Sequence, residues 1–435
     1  MDLTSRLRSI VRSGPPKDVR ELTYEPDDGY RNAAAFDPDY VASALGGRRI
    51  STRFGECIAI DRRYESDRWH GGIRIGDCTL DDFQSLRILD PDLASREAGL
   101  AGAASRTVFI DLETTGLSGG AGTLAFLVGC GYFDLGAFQV RQFLLTSHAG
   151  ERALLAAVAE FFDDADLIVT YNGKTFDVPV METRWLFHRM EMPLDGVPHF
   201  DMLHPARRLW KGRPADEGGC RLSTLERRLF DVQRVGDVPG MDIPSRFFRF
   251  VRSGDPRPLE GVLEHNRIDL VSLAAVTARA LQLARDGRDA CTDCAEALAL
   301  GRIFERAGHF SRAEACYRHA AQAPDAATRA EALFQLAVRL RRDRRFVDAA
   351  AAWHELAELT APRSLRGGRL GDLRQIAVEA LAIHQEHRAR DFAGARELAC
   401  AALEETAGRR ADGVRHRIAR LDRKLARGQN AQLLW

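Results

Sequence analysis

The sequence of 435 residues has no net charge, lysine plus arginine and aspartate plus glutamate standing at 62 each. That balance neither demands nor excludes a nucleic-acid partner, because local distribution, not the sum, sets electrostatic attraction. Lysine is scarce, confined to Lys17, Lys174, Lys211 and Lys424, an arginine bias that reflects coding composition and carries no functional reading. A disulfide framework is missing as well: eight cysteines scattered over this length staple no small scaffold. The close pair Cys291 and Cys294 lies in an alanine-rich helical stretch without a second pair or paired histidines to complete a zinc tetrad, and reads as coincidence. The opening M-D-L-T-S-R-L-R-S-I lacks the apolar core of a signal peptide, and the longest apolar run, residues 124–133, is too short to span a bilayer. The expectation is a protein of a reducing cytoplasm with no membrane partner.

What is present suggests several domains, because the chain is too long for one ordinary core. Residues 1–45, with Pro15, Pro16, Pro26 and Pro38 among charges, read as an irregular leader. Residues 46–105 read as a small β-containing segment that packs on the next domain, with a hairpin of 57–60 and 72–75 around the turn Trp69-His70-Gly71. Over 106–282 the pattern predicts strands at 107–111, 123–133 and 138–145, a helix at 150–164 and a strand at 167–171. A mixed five-stranded sheet flanked by helices follows, and this β-β-β-α-β order is that of the RNase H-like fold. The glycine-rich loop at Gly116–Gly122 lacks the Gly-Lys-Ser/Thr ending of a phosphate loop and joins two strands, which excludes that reading.

The first strand runs V-F-I-D-L-E-T-T-G and places Asp111 and Glu113 on one strand face. Two carboxylates side by side repel unless a cation such as Mg2+ or Mn2+ sits between them. The fourth strand ends in Y-N-G-K-T-F-D, with Asn172 at the strand end and Asp177 opening a helix, the kind of switch where α/β sheets put their sites. Downstream, Asp201 can close onto the same site, and Arg207, Arg208, Lys211 and Arg213 form a basic cluster suited to a phosphate backbone. On a helix predicted over 259–281, His265 and Asp269 lie one turn apart in E-H-N-R-I-D-L.

In this order the motifs resemble the DEDD superfamily of exonucleases: D-x-E at Asp111 and Glu113, N-x-x-x-[FY]-D at Asn172, Phe176 and Asp177, and a closing histidine and aspartate at His265 and Asp269. With H-P-A-R-R-L-W and the turn at 239–244, the string looks more narrowly like the bacterial YprB-like family of predicted exonucleases. The H-x-x-x-D spacing is that of the superfamily's tyrosine form, one residue shorter than its usual histidine form. The resemblance implies 3′-5′ hydrolysis of single-stranded DNA or RNA, or of a 3′ end, with two Mg2+ or Mn2+ ions roughly 3.5–4 Å apart. It further implies that Asp111 touches both ions, Glu113 and Asp269 complete one shell, Asp177 holds the other ion and His265 takes a proton from the attacking water. Thr114, Thr115 and Gly116 would lie beside the terminal nucleotide, and Lys174 would neutralise phosphate.

Residues 290–435 turn to alanine, leucine, glutamate and arginine at helical period. Gly308, Phe310, Ala313 and Tyr317, then Phe346, Ala349 and Trp353, then Phe392 and Ala395, resemble tetratricopeptide repeats. An all-α helical-repeat domain is expected, offering a protein partner a surface or the fold plain support. Its basic tail over 409–427 has the spacing of a nucleic-acid-binding or a solvated helix. The rival to an enzyme is a non-catalytic scaffold that binds nucleic acid or protein. It gains nothing from keeping four mutually repelling carboxylates.

Overall fold

The computed structural model describes residues 37–80, 82–95, 106–116, 122–211, 219–365, 367–404 and 409–432. The end of the expected irregular leader is helical. Helix α1 (Pro38–Ala44) starts at Asp37, whose carboxylate accepts from the N–H groups of Asp39 and Tyr40, with Pro38 fixing the first helical turn. Strands β1 (Arg48–Thr52) and β2 (Gly55–Tyr64) then pair antiparallel. The expected hairpin between 57–60 and 72–75 does not form. Cys57, Ile58, Ala59 and Ile60 are buried in succession, so the strand needs cover on both faces and takes it within a larger sheet. The pieces β3 (Trp69–His70) and β4 (Ile73–Arg74) instead pair only with each other.

Helix α2 (Phe83–Leu89) precedes three antiparallel strands, β5 (Thr107–Thr114), β6 (Ala125–Asp134) and β7 (Ala137–Leu144). Then come α3 (Glu151–Phe162), β8 (Leu167–Thr170), α4 (Asp177–Phe187) and β9 (His199–Asp201). The sheet has seven strands, in the order β1-β2-β7-β6-β5-β8-β9, with β8 parallel to β5 and β9 parallel to β8. Five was the expectation; β2 adds to the edge of β7, setting Ile58 opposite Leu144, and β1 adds to β2. An unpaired edge of β7 would leave a row of open N–H and C=O groups, which this addition satisfies.

The faces of the sheet separate two cores. On β5, Val108, Ile110 and Leu112 pack with α3, α4 and Phe247 of α7 (Ile243–Ser253), reached through α5 (Leu203–Trp210) and α6 (Leu222–Phe230). Phe247 stacks on Phe126 with ring centres 4.2 Å apart. Phe109, on the opposite face, packs with the long helix α8 (Arg257–Asp286). By the alternation of a strand, Asp111 and Glu113 share the face of Phe109 and look toward α8. Helix α4 is tied to α3 by a buried cluster: Arg184 grips both oxygens of Glu151 at 2.5 Å, and His188 Nε2 lies 2.7 Å from the same carboxylate.

The remainder is helical hairpins: α9 (Cys294–Arg306) with α10 (Phe310–Ala320), α11 (Ala326–Arg342) with α12 (Phe346–Leu359), α13 (Gly368–His384) with α14 (Phe392–Glu404), closed by α15 (Arg409–Gln432). Asp293 and Asp325 cap α9 and α11 by accepting from Glu296 N and Thr328 N. Gly301 lets α9 and α10 approach closely, since a Cβ there would lie 2.6 Å from the Tyr317 ring. Among the described residues no helix is long and apolar enough to cross a membrane.

Candidate active site

Strand β5 delivers the first acids. A bulge between Glu113 and Thr114 breaks its pairing with β6 just where the acids end, a distortion that re-aims side chains at the rim of a sheet. Thr114 Oγ1 donates to the Gly116 carbonyl, and Thr115 closes the turn by exchanging hydrogen bonds with Leu124. Asp177 is buried at the first position of α4, where free N–H groups favour an anion; Pro179 in the same turn gives up an N–H that has no helical partner. From α8, Asp269 and His265 lie on one face, His265 Nε2 being 3.5 Å from Asp269 Oδ2.

The fold brings these groups together against their mutual repulsion. The Asp111 carboxyl is pushed well above the usual range, first by burial and then by Asp269, Glu113 and Asp177; a hydrogen bond from Asn266 opposes the shift. Glu113 is raised by burial, then by Asp269, Asp177 and Asp237. Burial lifts Asp177 to about 7 despite backbone hydrogen bonds from its own N–H and from Leu112. Among the described residues no three His, Cys, Asp or Glu side chains stand as a metal-holding group. The acids thus share a field without a closed coordination shell. The donor set nevertheless suits a hard divalent cation, being carboxylate oxygens and an imidazole with no thiolate among them.

Several residues of the site are not foreshadowed by motif spacing. Asn266, fully buried, donates from Nδ2 to Asp111 Oδ2 at 2.7 Å and to the Asp111 carbonyl at 3.1 Å. Gln142 on β7 donates to Asn266 Oδ1 at 2.8 Å and to the Leu263 carbonyl at 2.9 Å. Between them in register, Gly129 on β6 faces Asp111 on one side and Gln142 on the other. A Cβ at Gly129 would lie 2.2 Å from Asn266 Oδ1, so only glycine leaves the slot through which Asn266 reaches the acid.

A second arrangement holds Asp269 and His265. Arg234 donates to Asp269 Oδ1 at 2.5 Å, to both oxygens of Glu226 at 2.5 and 2.8 Å, and to Asp237 Oδ2 at 3.2 Å. Its charge is maintained by Glu226 and Asp269 against the opposing effect of burial. His265 Nδ1 lies 2.7 Å from Asp237 Oδ1. Burial raises the Asp237 carboxyl, but hydrogen bonds and charge from His265 and Arg234 hold it below its ordinary value. The turn of helix in H-x-x-x-D is thus enough to set His265 beside Asp269, while Asp237 orients the ring.

Other sequence candidates are engaged elsewhere. Asp201, expected at the substrate, is saturated by the N–H groups of Asn172, Lys174 and Leu203 at 2.8, 3.0 and 3.1 Å, and so holds the loop before α4 in shape. Asn172 is exposed in the left-handed region at φ 71°, with Oδ1 accepting from Thr175, and Phe176 is half-buried at the helix start. Lys174, expected at phosphate, pairs with Asp90 at 3.0 Å. Arg208 donates to the Leu89 carbonyl at 3.0 Å, and Arg207 is exposed on α5; Arg213 lies outside the described residues. On the basic tail, Arg420 and Lys424 bind the buried Glu386 at 2.7 to 2.9 Å, which commits part of that charge internally.

Residues 108–281, which hold all five candidate acid and histidine positions, match the RNase_H_2 family of the RNase H superfamily. The family B DNA polymerase of the archaeon Pyrobaculum calidifontis shares 14% identity at a TM-score of 0.33, over 47% of this chain and 30% of the polymerase, a likeness too slight to bear on function. The uncharacterised protein YprB of Bacillus subtilis (strain 168) is 31% identical over 326 residues, 73% of this chain and 74% of the relative, and on that match the chain belongs to the YprB family.

Proposed function

We propose that the chain is a metal-dependent 3′-5′ exonuclease of the DEDD type that hydrolyses phosphodiester bonds of single-stranded DNA or RNA. One observation carries this reading: Asp177 of α4 and Asp269 of α8, far apart in sequence, both raise the buried Asp111 and Glu113 carboxyls of β5. Such repulsion costs stability and is relieved by cations. Asp111, Glu113, Asp177 and Asp269 would hold Mg2+ or Mn2+, which when bound in a pair supplies an activated water and charge stabilisation at the leaving 3′ oxygen. His265, anchored at Nδ1 by Asp237, turns Nε2 toward the acids and takes a proton there. Asn266 fixes the Asp111 carboxylate that faces the scissile phosphate.

We read the helical region over 290–435 as a tetratricopeptide-like array that supports the nuclease domain of 106–282 and offers a surface to a protein partner. The segment 46–105 joins the nuclease part, and the whole acts in the cytoplasm. The test incubates end-labelled single-stranded DNA and RNA with Mg2+, Mn2+ or EDTA. The wild-type chain shortens a 5′-labelled strand stepwise and releases a 3′ label first, while Asp111→Ala loses at least two orders of magnitude of rate. Equal shortening by the variant, or none by the wild type, favours the scaffold reading instead.

A further inference from the structure

The small β3–β4 piece is held on the nuclease part by backbone. Gly72 N donates to the Phe230 carbonyl at 2.5 Å, and a Cβ at Gly71 would lie 2.1 Å from that same oxygen, so the turn needs glycine to dock. His70 Nε2 lies 2.8 Å from Ser272 Oγ, and Ser272 donates to Glu226, the carboxylate that holds Arg234. The β3–β4 turn is therefore wired to the residue that grips Asp269.

Between this turn and α8 lies a hollow of about 240 Å3, lined among others by Tyr64, Arg68, Trp69, Val232, Arg234 and Glu264. Its rim is aromatic and basic. Trp69 is 58% exposed, large for an indole. Arg74 lies over the Trp69 ring at 5.1 Å, and Arg68 over the Tyr64 ring at 4.6 Å. The nearby carboxylates are mostly committed: Glu264 pairs with Arg267, and Glu65 with Arg63 at 2.7 Å. Asp67 is the opposing charge on the same turn, and Arg68 and Arg74 outweigh it.

We propose that this hollow is a stacking platform for single-stranded nucleic acid that leads a strand into the acid site, resting on the nuclease reading above. An exposed indole with arginines beside it suits unpaired bases and their phosphates, because every base has a π-face and stacking needs no particular sequence. Proximity to the site favours a strand over a peptide, since Arg234 walls the hollow and also binds Asp269. A duplex keeps its bases stacked inside and offers nothing to Trp69.

Binding is measured by fluorescence anisotropy with labelled ten-residue oligothymidylate and oligouridylate, on the full chain carrying Asp111→Asn so that no strand is consumed. Trp69→Ala weakens binding by roughly tenfold, Trp69→Phe restores most of it, and a blunt duplex of equal length binds no better to wild type than to Trp69→Ala. The pair Arg68→Ala and Arg74→Ala lowers the slope of log affinity against log salt by about 1.4, two phosphate contacts on a single strand. Thermal midpoints of the variants control for folding, and an iodouracil-containing strand should crosslink to the peptide carrying Trp69. Unchanged affinity in Trp69→Ala with an intact fold, or no single-strand binding by the parent, overturns the platform. Metal-dependent shortening by the wild-type chain, assayed separately, shows in that case whether the nuclease reading survives.

Discussion

Gly129 carries a test that no other residue of the sheet offers. Its missing side chain is the space through which Asn266 reaches Asp111, and a methyl group there would sit 2.2 Å from the amide oxygen and 2.8 Å from its carbon and nitrogen. Gly129→Ala should cost about 2 kcal/mol by overpacking a buried amide, read as a lower urea midpoint, and the disturbed Asp111 should lower nuclease kcat about a hundredfold. Asn266→Ala removes the atoms the methyl would strike. Stability costs of the two changes should therefore be strongly non-additive, Gly129→Ala being nearly harmless in the Asn266→Ala background. Additive costs would show that the slot is not what glycine provides. A glycine inside a strand signals close approach by something, but the sequence does not say by what: Asn266 lies 137 positions away, a difference between two residue numbers that only the fold closes.

At the scale of elements, the site is an encounter of one strand end, one helix start and one helix face. Asp111, Glu113, Asp177, His265 and Asp269 were readable because each sits at a fixed offset within its own element, where chain spacing and spatial spacing agree. Arg234, Glu226 and Asp237 were not readable, because they come from α6 and the segment after it and meet α8 only in the packed chain. The same reason hid the two extra strands: the unbroken apolar run of residues 57–60 marks burial on both faces but not which sheet supplies it. The gathered acids have a consequence for pH. Asp177 is ordinarily near 3.8 and is lifted to about 7 by burial, so its contribution to stability is fully present below the ordinary value and is lost as pH rises through about 7. His70 works the other way: burial lowers it from 6.5 to about 4, and its contribution, present above the ordinary value, is lost as pH falls toward 4. In EDTA, Asp177→Asn should melt with the wild type below the ordinary carboxylate range and above it at pH 8. Mn2+ should raise the wild-type midpoint more at pH 8 than at pH 5 and raise the variant's less. A wild-type to variant difference that stays flat across this range would contradict the burial of the Asp177 carboxyl.

At the scale of the whole molecule, the nuclease part and the helical array share one core. Helix α8 packs Leu270, Leu273 and Leu281 with Phe109 and Phe200 of the sheet and with Leu300, Phe304 and Tyr317 of the first hairpin. The join is polar at one point. Glu296, fully buried at the start of α9, accepts from Trp210 Nε1 of α5 at 2.8 Å and from Arg279 of α8 at 2.8 Å. A continuous apolar core with a buried ion pair at the seam argues that the two parts unfold together, although chains of this length often do not. Glu296→Ala takes the acceptor from the Trp210 indole and the Thr292 N–H and the buried counter-charge from Arg279, which keeps the Ala290 carbonyl and Gln282, and should cost about 3 kcal/mol. Because the core is shared, that loss should appear as one displaced urea transition, with the same midpoint by far-ultraviolet circular dichroism, dominated by the helices, and by the fluorescence of Trp185 and Trp210 on the nuclease side, read in a chain whose Trp69, Trp353 and Trp435 are changed to phenylalanine. Glu296→Gln, which keeps an acceptor for Trp210 and gives up only the charge opposite Arg279, should recover part of the loss. If instead the helical signal shifts while the nuclease-side signal stays in place, the array is an independent unit, and plain support of the active site by the repeats is ruled out.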